Sequence, residues 1–222
     1  MRRRWELIDE YVELLEKDVY DEPVTVNHAR ISREAFQTFV VPKKTSIGKL
    51  LDVGCGQGLM LQLCRDAGIS AVGVTLSRKD REACQAKGFE VSHGDQSFLE
   101  FADESFDVVW SRHCLEHSPM PLLTLFEYNR VLKTGGNCYV EVPQPDSLHV
   151  DNPNHYSLFS DRGWRSLFGR AQFSVAEYHV YNLSYRWPSG VAMEDYYYGY
   201  WLKKERHIRD VSRSSKDWRA PK

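Results

Sequence analysis

The chain has 222 residues, enough for one α/β domain with additions but too few for two domains of ordinary size. Hydrophobic residues make up 42% and charged residues 27%, which excludes a disordered or collagen-like chain, and no apolar run reaches the roughly 18 to 20 residues of a membrane span. Lys plus Arg number 29 against 31 Asp plus Glu, so a net charge of -2 gives no global field toward nucleic acid.

Trp5, Ile8, Val12, Leu15 and Val19 recur at three- and four-residue steps among acidic residues, which predicts an amphipathic helix over 4–20, ended by Pro23. A second helix over 28–40 carries Ile31, Ala35, Phe36 and Phe39 on one side and closes before Pro42. Residues 1–44 are therefore expected as a helical cover ahead of the first strand. From Lys49 onward, short apolar runs alternate with amphipathic helices, the pattern of βαβ units and a mostly parallel sheet. Strands are predicted at 49–54, 70–75, 88–92, 106–111 and 136–143, followed by two more at 172–181 and 195–204. Helices fall at 58–67, at 77–87 behind a Ser77-x-x-Asp80 capping box, at 119–132 with Ser118 as N-cap and Pro119 in the first turn, and at 161–169. The main domain is placed at 45–206, and 207–222 reads as a basic, flexible tail.

Five cysteines without a Cys-x-x-Cys pair or a His at zinc spacing imply neither a disulfide framework nor a metal site. The basic start is followed by acidic residues rather than an apolar stretch, so a cytoplasmic location is expected.

Leu50-Leu51-Asp52-Val53-Gly54-Cys55-Gly56-Gln57-Gly58 is a buried strand running into a glycine turn and a helix. Glycines at 54, 56 and 58 let a ligand lie against the backbone, since no Cβ holds it off. In a dinucleotide fingerprint Leu59 would have to be glycine, and no Gly-Lys-Ser or Gly-Lys-Thr follows, so the loop is not built for a pyrophosphate or a nucleoside triphosphate.

With Gly73-Val74-Thr75-Leu76-Ser77 after strand two, Gly94-Asp95 after strand three, and Phe106-Asp107-Val108-Val109-Trp110-Ser111 running to Leu115-Glu116-His117, the chain resembles the class I S-adenosylmethionine-dependent methyltransferases. The resemblance covers about Lys49 to Pro143 closely and extends loosely to Glu205. It implies a Rossmann-like sheet of seven strands, mostly parallel, with helices on both faces and the last strand antiparallel. It also implies S-adenosylmethionine as cofactor, with Gly54, Cys55 and Gly56 approaching through their backbone and Asp52 orienting the amino-acid end. Asp95 would accept from the adenine amino group, Gln96 would add a neighbouring contact, and Ser111 would face the sulfonium. At the end of strand two, where the family commonly has an acidic residue for the ribose, this chain has Thr75, and Leu76 next to it is a further expected cofactor contact. A single hydroxyl loses the stronger charge-assisted pair. The Gly-Val-Thr-Leu-Ser wording is similar to that of cyclopropane fatty acid synthases, which keeps a lipid substrate in play.

Methyl transfer from a sulfonium is an in-line displacement that needs a base only when the acceptor must lose a proton. His113 and His117 follow strand four. By resemblance, His117 aligns with a histidine that some O-methyltransferases use as base, and the alternative is a histidine bonded to a backbone carbonyl. The long polar loop 144–160 reads as a substrate wall in which His155 contacts substrate or stabilises the loop. The Tyr196 to Trp201 cluster is explained by alternation in a final strand. The expected activity is methylation of a small molecule, at the oxygen of a sugar or other polar metabolite. Lipid or cyclopropane-type transfer and a non-catalytic cofactor-binding module are the alternatives.

Overall fold

The computed structural model describes residues 4–19, 25–147, 150–186 and 192–211. Strands β1 (Lys49–Val53), β2 (Ser70–Thr75), β3 (Val91–His93), β4 (Phe106–Arg112), β5 (Leu132–Pro143), β6 (Phe173–Arg186) and β7 (Ala192–Lys204) join in one sheet of order β3-β2-β1-β4-β5-β7-β6. The β1–β2, β1–β4, β2–β3 and β4–β5 pairs are parallel, and β7 runs antiparallel to β5 and β6. This is the Rossmann-like sheet, last strand antiparallel, that the sequence leads one to expect.

Helices α1 (Arg4–Asp18), α2 (Val26–Ala35), α3 (Leu59–Ala67), α4 (Arg78–Ala86), α5 (Pro121–Val131), α6 (Asp161–Arg170) and α7 (Ile208–Val211) surround it. Strand alternation splits the core in two. Leu51, Val53 and Val109 face Leu125 and Tyr128 of α5 and Trp164 and Phe168 of α6. Leu50, Val108 and Trp110 face Ile31 of α2 and Met60 and Cys64 of α3 on the other side. In the aromatic run, Tyr197 and Trp201 join the second core, whereas Tyr200 and Leu202 join the first.

Several boundaries differ from the sequence reading: β5 starts at 132 rather than 136, β6 runs on to 186 rather than 181, and β7 starts at 192 rather than 195. The helix expected over 28–40 is α2 only to Ala35, after which the chain widens into a π-turn (Phe36–Val40) and tightens into a 3-10 turn (Val41–Ser46) around Pro42. Phe36 and Phe39 are buried here, with Phe39 stacked on Trp201 at 5.6 Å, so this part of the N-terminal segment belongs to the core. Helix α5 starts at Pro121 rather than 119, because Met120, preceding a proline, is kept out of the helical region at φ -128 and ψ 61. Ser118 instead closes a 3-10 turn, Leu115–His117. Strand β3 starts at 91, since Gly88, at φ +76, first has to end α4. The chain beyond 206 starts as a docked turn: Asn129 donates to the Arg206 carbonyl and accepts from the Ile208 N–H, both at 2.9 Å. The rest of the expected tail, 212–222, lies outside the described residues.

Candidate active site

The order of strands reverses between β1 and β4, and open α/β sheets form their ligand crevice at the carboxyl ends of such strands. A cleft of ≈ 390 Å³ lies there, within the range of small-molecule sites. The loops after β1, β2, β3 and β4 form its floor, with Leu15, Val19, Thr25 and His28 on one flank and Asn154 to Tyr156 on another.

The glycine turn approaches the cleft with its own backbone. Gly56 has φ +48, and a Cβ built there meets nothing within 4 Å, so the space above it is open for a ligand. Gly54, at φ +71, is forced by its neighbours, since a Cβ would lie 2.7 Å from Cys114 Sγ. The N–H groups of Gly54 and Cys55 both donate to the Val74 carbonyl, at 2.9 and 3.1 Å. Those two donors are therefore not part of an anion nest, which agrees with the exclusion of a pyrophosphate ligand.

Two dehydrated carboxylates line the cleft. Burial, reinforced by the nearby Cys84 thiol, pushes Asp52 up to about 8. Burial also raises Asp95, although Ser97 donates its N–H to Asp95 Oδ1 at 2.7 Å. A group in this state gains from a cationic or N–H donor brought by a ligand. This donor set fits S-adenosylmethionine: an ammonium suits Asp52, an exocyclic amine suits Asp95, and the open backbone at Gly56 admits a flat, close ligand. The expected cofactor residues Asp52, Gly54, Cys55, Gly56, Thr75, Leu76, Asp95 and Gln96 all line the cleft. Gln96 is held by its own bonds, donating to the Cys114 carbonyl and accepting from Tyr128 Oη, both at 2.8 Å. Thr75 Oγ1 accepts from the Ser77 N–H at 3.1 Å.

Ser111 is a correction. It is not among the cleft-lining residues; its hydroxyl is fully buried and sits 3.1 Å from Tyr128 Oη. Alternation puts it on the Val109 face of β4, toward α5, while Trp110 and Arg112 on the opposite parity reach the cleft.

The three imidazoles named from sequence all line the cleft, in different states. His113 has the left-handed φ of 48. Its Nε2 lies 3.0 Å from Glu141 Oε1 and its Nδ1 lies 3.5 Å from Glu116 Oε1. Burial and Arg112 would lower its pKa, but the two glutamates prevail and raise it. His117 Nδ1 lies 2.8 Å from the Asn154 carbonyl, which can only accept, so Nδ1 carries the hydrogen and the neutral ring keeps its lone pair on Nε2. His155 stands edge-on to it, ring centroids 4.7 Å apart.

Sequence reasoning missed the charged layer underneath. Arg112 and Glu141 are partners in the β4–β5 ladder and form an ion pair at 2.9 Å, with Glu141 fully buried. Burial would raise Glu141, but Arg112, His113 and the Tyr139 hydroxyl, at 2.6 Å, hold it down to about 2. A lone acid inside the apolar run Tyr139 to Val142 was the available signal. Asp80, read as part of a cap, also lines the cleft. Its N–H does bond Ser77 Oγ at 3.1 Å, and Thr75 and Leu76 line the same cleft.

Residues 51–140 match the family described as methyltransferase domain. The 27-O-demethylrifamycin SV methyltransferase of Amycolatopsis mediterranei is 29% identical over 116 residues, 46% of this chain and 43% of that protein. The ubiquinone biosynthesis O-methyltransferase of Methylococcus capsulatus is 34% identical over 98 residues, 41% of each chain. The chain thus spans less than half the length of these relatives. Among solved structures, an S-adenosylmethionine-dependent methyltransferase from Archaeoglobus fulgidus superposes with a TM-score of 0.63 at 18% identity, over 91% of this chain and 100% of that one. The [4+2]-cyclase SpnF gives 0.63 at 18% identity, over 90% and 94%. These likenesses establish the fold, and the cyclase illustrates that one fold serves different reactions.

Proposed function

We propose that this chain, whose residues 51–140 match the methyltransferase domain family, is a class I S-adenosylmethionine-dependent enzyme that methylates an oxygen of a small polar acceptor, a sugar or a comparable metabolite. The observation that carries the reading is a polar cluster in the cleft: His117, His155, Asn154 and Tyr156 all line it, with His117 Nδ1 2.8 Å from the Asn154 carbonyl and the two imidazoles 4.7 Å apart.

Bound at the glycine turn, S-adenosylmethionine supplies an electrophilic methyl group on a sulfonium. The protein's own contribution is alignment and exclusion of water, which provide much of the acceleration in an in-line displacement. Asp52 and Asp95 fix the two ends of the donor. As the carbon–sulfur bond breaks and the carbon–oxygen bond forms, the acceptor oxygen loses its proton, and this needs a lone pair on the acceptor side. His117 Nε2 is that lone pair, because the Asn154 carbonyl claims the other nitrogen. His113, bridging Glu116 and Glu141, holds its segment in place.

The test is a screen of polar metabolites with methyl-labelled S-adenosylmethionine, with and without His117→Ala. Label on an oxygen of a polar product, lost in the variant while S-adenosylhomocysteine still binds, supports the reading. Label only on lipid extracts would favour the alternative, for which the apolar flank of Leu15, Val19, Leu59 and Met60 is the supporting feature. No transfer to any acceptor by a chain that binds S-adenosylhomocysteine would point to a non-catalytic module.

A further inference from the structure

We propose that Glu116, His117 and His155 form a binding site for a divalent cation of the zinc, cobalt and iron class on the acceptor side of the cleft. One donor atom from each of the three lies within 4.8 Å of the others, close enough for a single ion to reach them all. Glu116 is fully buried, and neither of its carboxylate oxygens accepts a hydrogen bond among the described residues. The His113 imidazole stands 3.5 Å from one of them. That ring compensates Oε1 only; Oε2 has no donor among the described residues, and a buried carboxylate oxygen left so is costly unless a cation completes it.

The rest of the arrangement suits a ligand set. His117 donates Nδ1–H to a backbone carbonyl, as metal-binding histidines commonly do, and this turns the Nε2 lone pair outward. Two ligands come from the 3-10 turn after β4 and the third from the loop after β5. The loop is fastened to the turn by the Ser157 N–H on the Glu116 carbonyl at 3.0 Å and the Ser157 hydroxyl on the Ser118 carbonyl at 2.6 Å. Two imidazoles and one carboxylate are a donor set for borderline cations rather than for calcium, and three protein ligands leave a position open. His117 and His155 line the cleft, so that position faces the acceptor. The sequence showed no metal spacing because the ligands come from separate segments.

The site rests on the methyl transfer to oxygen given under Proposed function and reassigns the part that His117 plays in it. With the cation bound, the acceptor hydroxyl coordinates it, becomes more acidic and releases its proton to water as the methyl bond forms. The lone pair on His117 then acts by holding the cation instead of taking the proton itself.

The experiment is titration of chelator-treated protein with Co2+, read by visible absorption and calorimetry, alongside S-adenosylhomocysteine binding and labelled methyl transfer in the same samples. Saturation at one equivalent in the wild-type chain is expected. Glu116→Gln and His155→Ala should each weaken it by at least about 100-fold, since even residues behind the ligands cost 10- to 100-fold. His93→Asn, away from the cluster, should leave it unchanged. His155 sits on a loop, so its variant keeps the test open if Glu116→Gln does not fold. Equal cobalt binding by wild type and both variants, or full methyl transfer by metal-free protein, would overturn the site and leave methyl transfer standing. Stoichiometric cobalt lost in the variants, with no transfer to any oxygen acceptor, would support the site and overturn the proposed reaction.

Discussion

Arg112 Nε lies 2.9 Å from Glu141 Oε1, side by side in the β4–β5 ladder beneath the cleft, and His113 shares the same oxygen at 3.0 Å. Removing Arg112 leaves a fully buried carboxylate with half its compensation. Arg112→Met should cost about 3 to 5 kcal/mol, and adding Glu141→Gln should recover most of that. In the wild type, Glu141 has a folded pKa of about 2 against an ordinary 4.5. Its contribution is therefore present above 4.5 and fades as pH falls through 2. Urea unfolding of the three proteins at neutral and acid pH measures both effects.

Asp52 has the opposite sign. Its folded pKa of about 8 exceeds the ordinary 3.8, so the ligand-free fold binds a proton that the unfolded chain releases. Its stabilisation is full below 3.8 and is lost as pH rises through about 8. Thermal melts at pH about 5 and about 9 should show the drop, and Asp52→Asn should flatten it. S-adenosylhomocysteine, bringing an ammonium group, should flatten it as well.

At Gly56 an added Cβ meets nothing within 4 Å in the protein, but a side chain there would occupy the place of a ligand lying on the turn. Gly56→Val should cost about 1 to 2 kcal/mol for its left-handed φ and should abolish S-adenosylhomocysteine binding. Calorimetric titration beside a melting curve separates the two losses.

Asp95→Ala should weaken the same ligand by about 1 to 3 kcal/mol, roughly 5- to 150-fold. Unchanged affinity in the titration would place the adenine elsewhere.

Helix α1 touches the body through Glu16, which pairs with Arg78 at 2.6 Å and faces His93 at 3.5 Å, and it brings Leu15 to the cleft. Exposed pairs of this kind contribute little. Deleting residues 1–19 should leave the fold and most S-adenosylhomocysteine affinity while lowering turnover. Residues 31–40 are core, so a cut at 40 should unfold the chain.

Much of this architecture was legible because it is written in local pattern. Alternation located the strands, and the glycine turn with Asp95 located the donor half of the cleft. The continuation of α2 was misread because apolar spacing at Phe36 and Phe39 is the same for an α-turn and a π-turn. Ser111 was misassigned by position within a motif, although its parity with Val109 already pointed it toward α5. What no local pattern carried was pairing across distance. That Asn154 orients His117, that Arg112 meets Glu141, and that His155 joins Glu116 all depend on how strand order and two loops bring separate segments together.

The stacking of Phe39 on Trp201 has a consequence for the order in which the chain can fold. One ring belongs to the segment ahead of the first strand, and the other to the last strand of the sheet. As the ribosome releases the chain, the parallel half from β1 to β4 emerges with one of its faces still lacking this closing contact. Such non-local contacts slow folding and leave apolar surface transiently exposed. The N-terminal aromatic residues must therefore wait for nearly the whole chain, and a nascent fragment stopped before β7 would present them to chaperones.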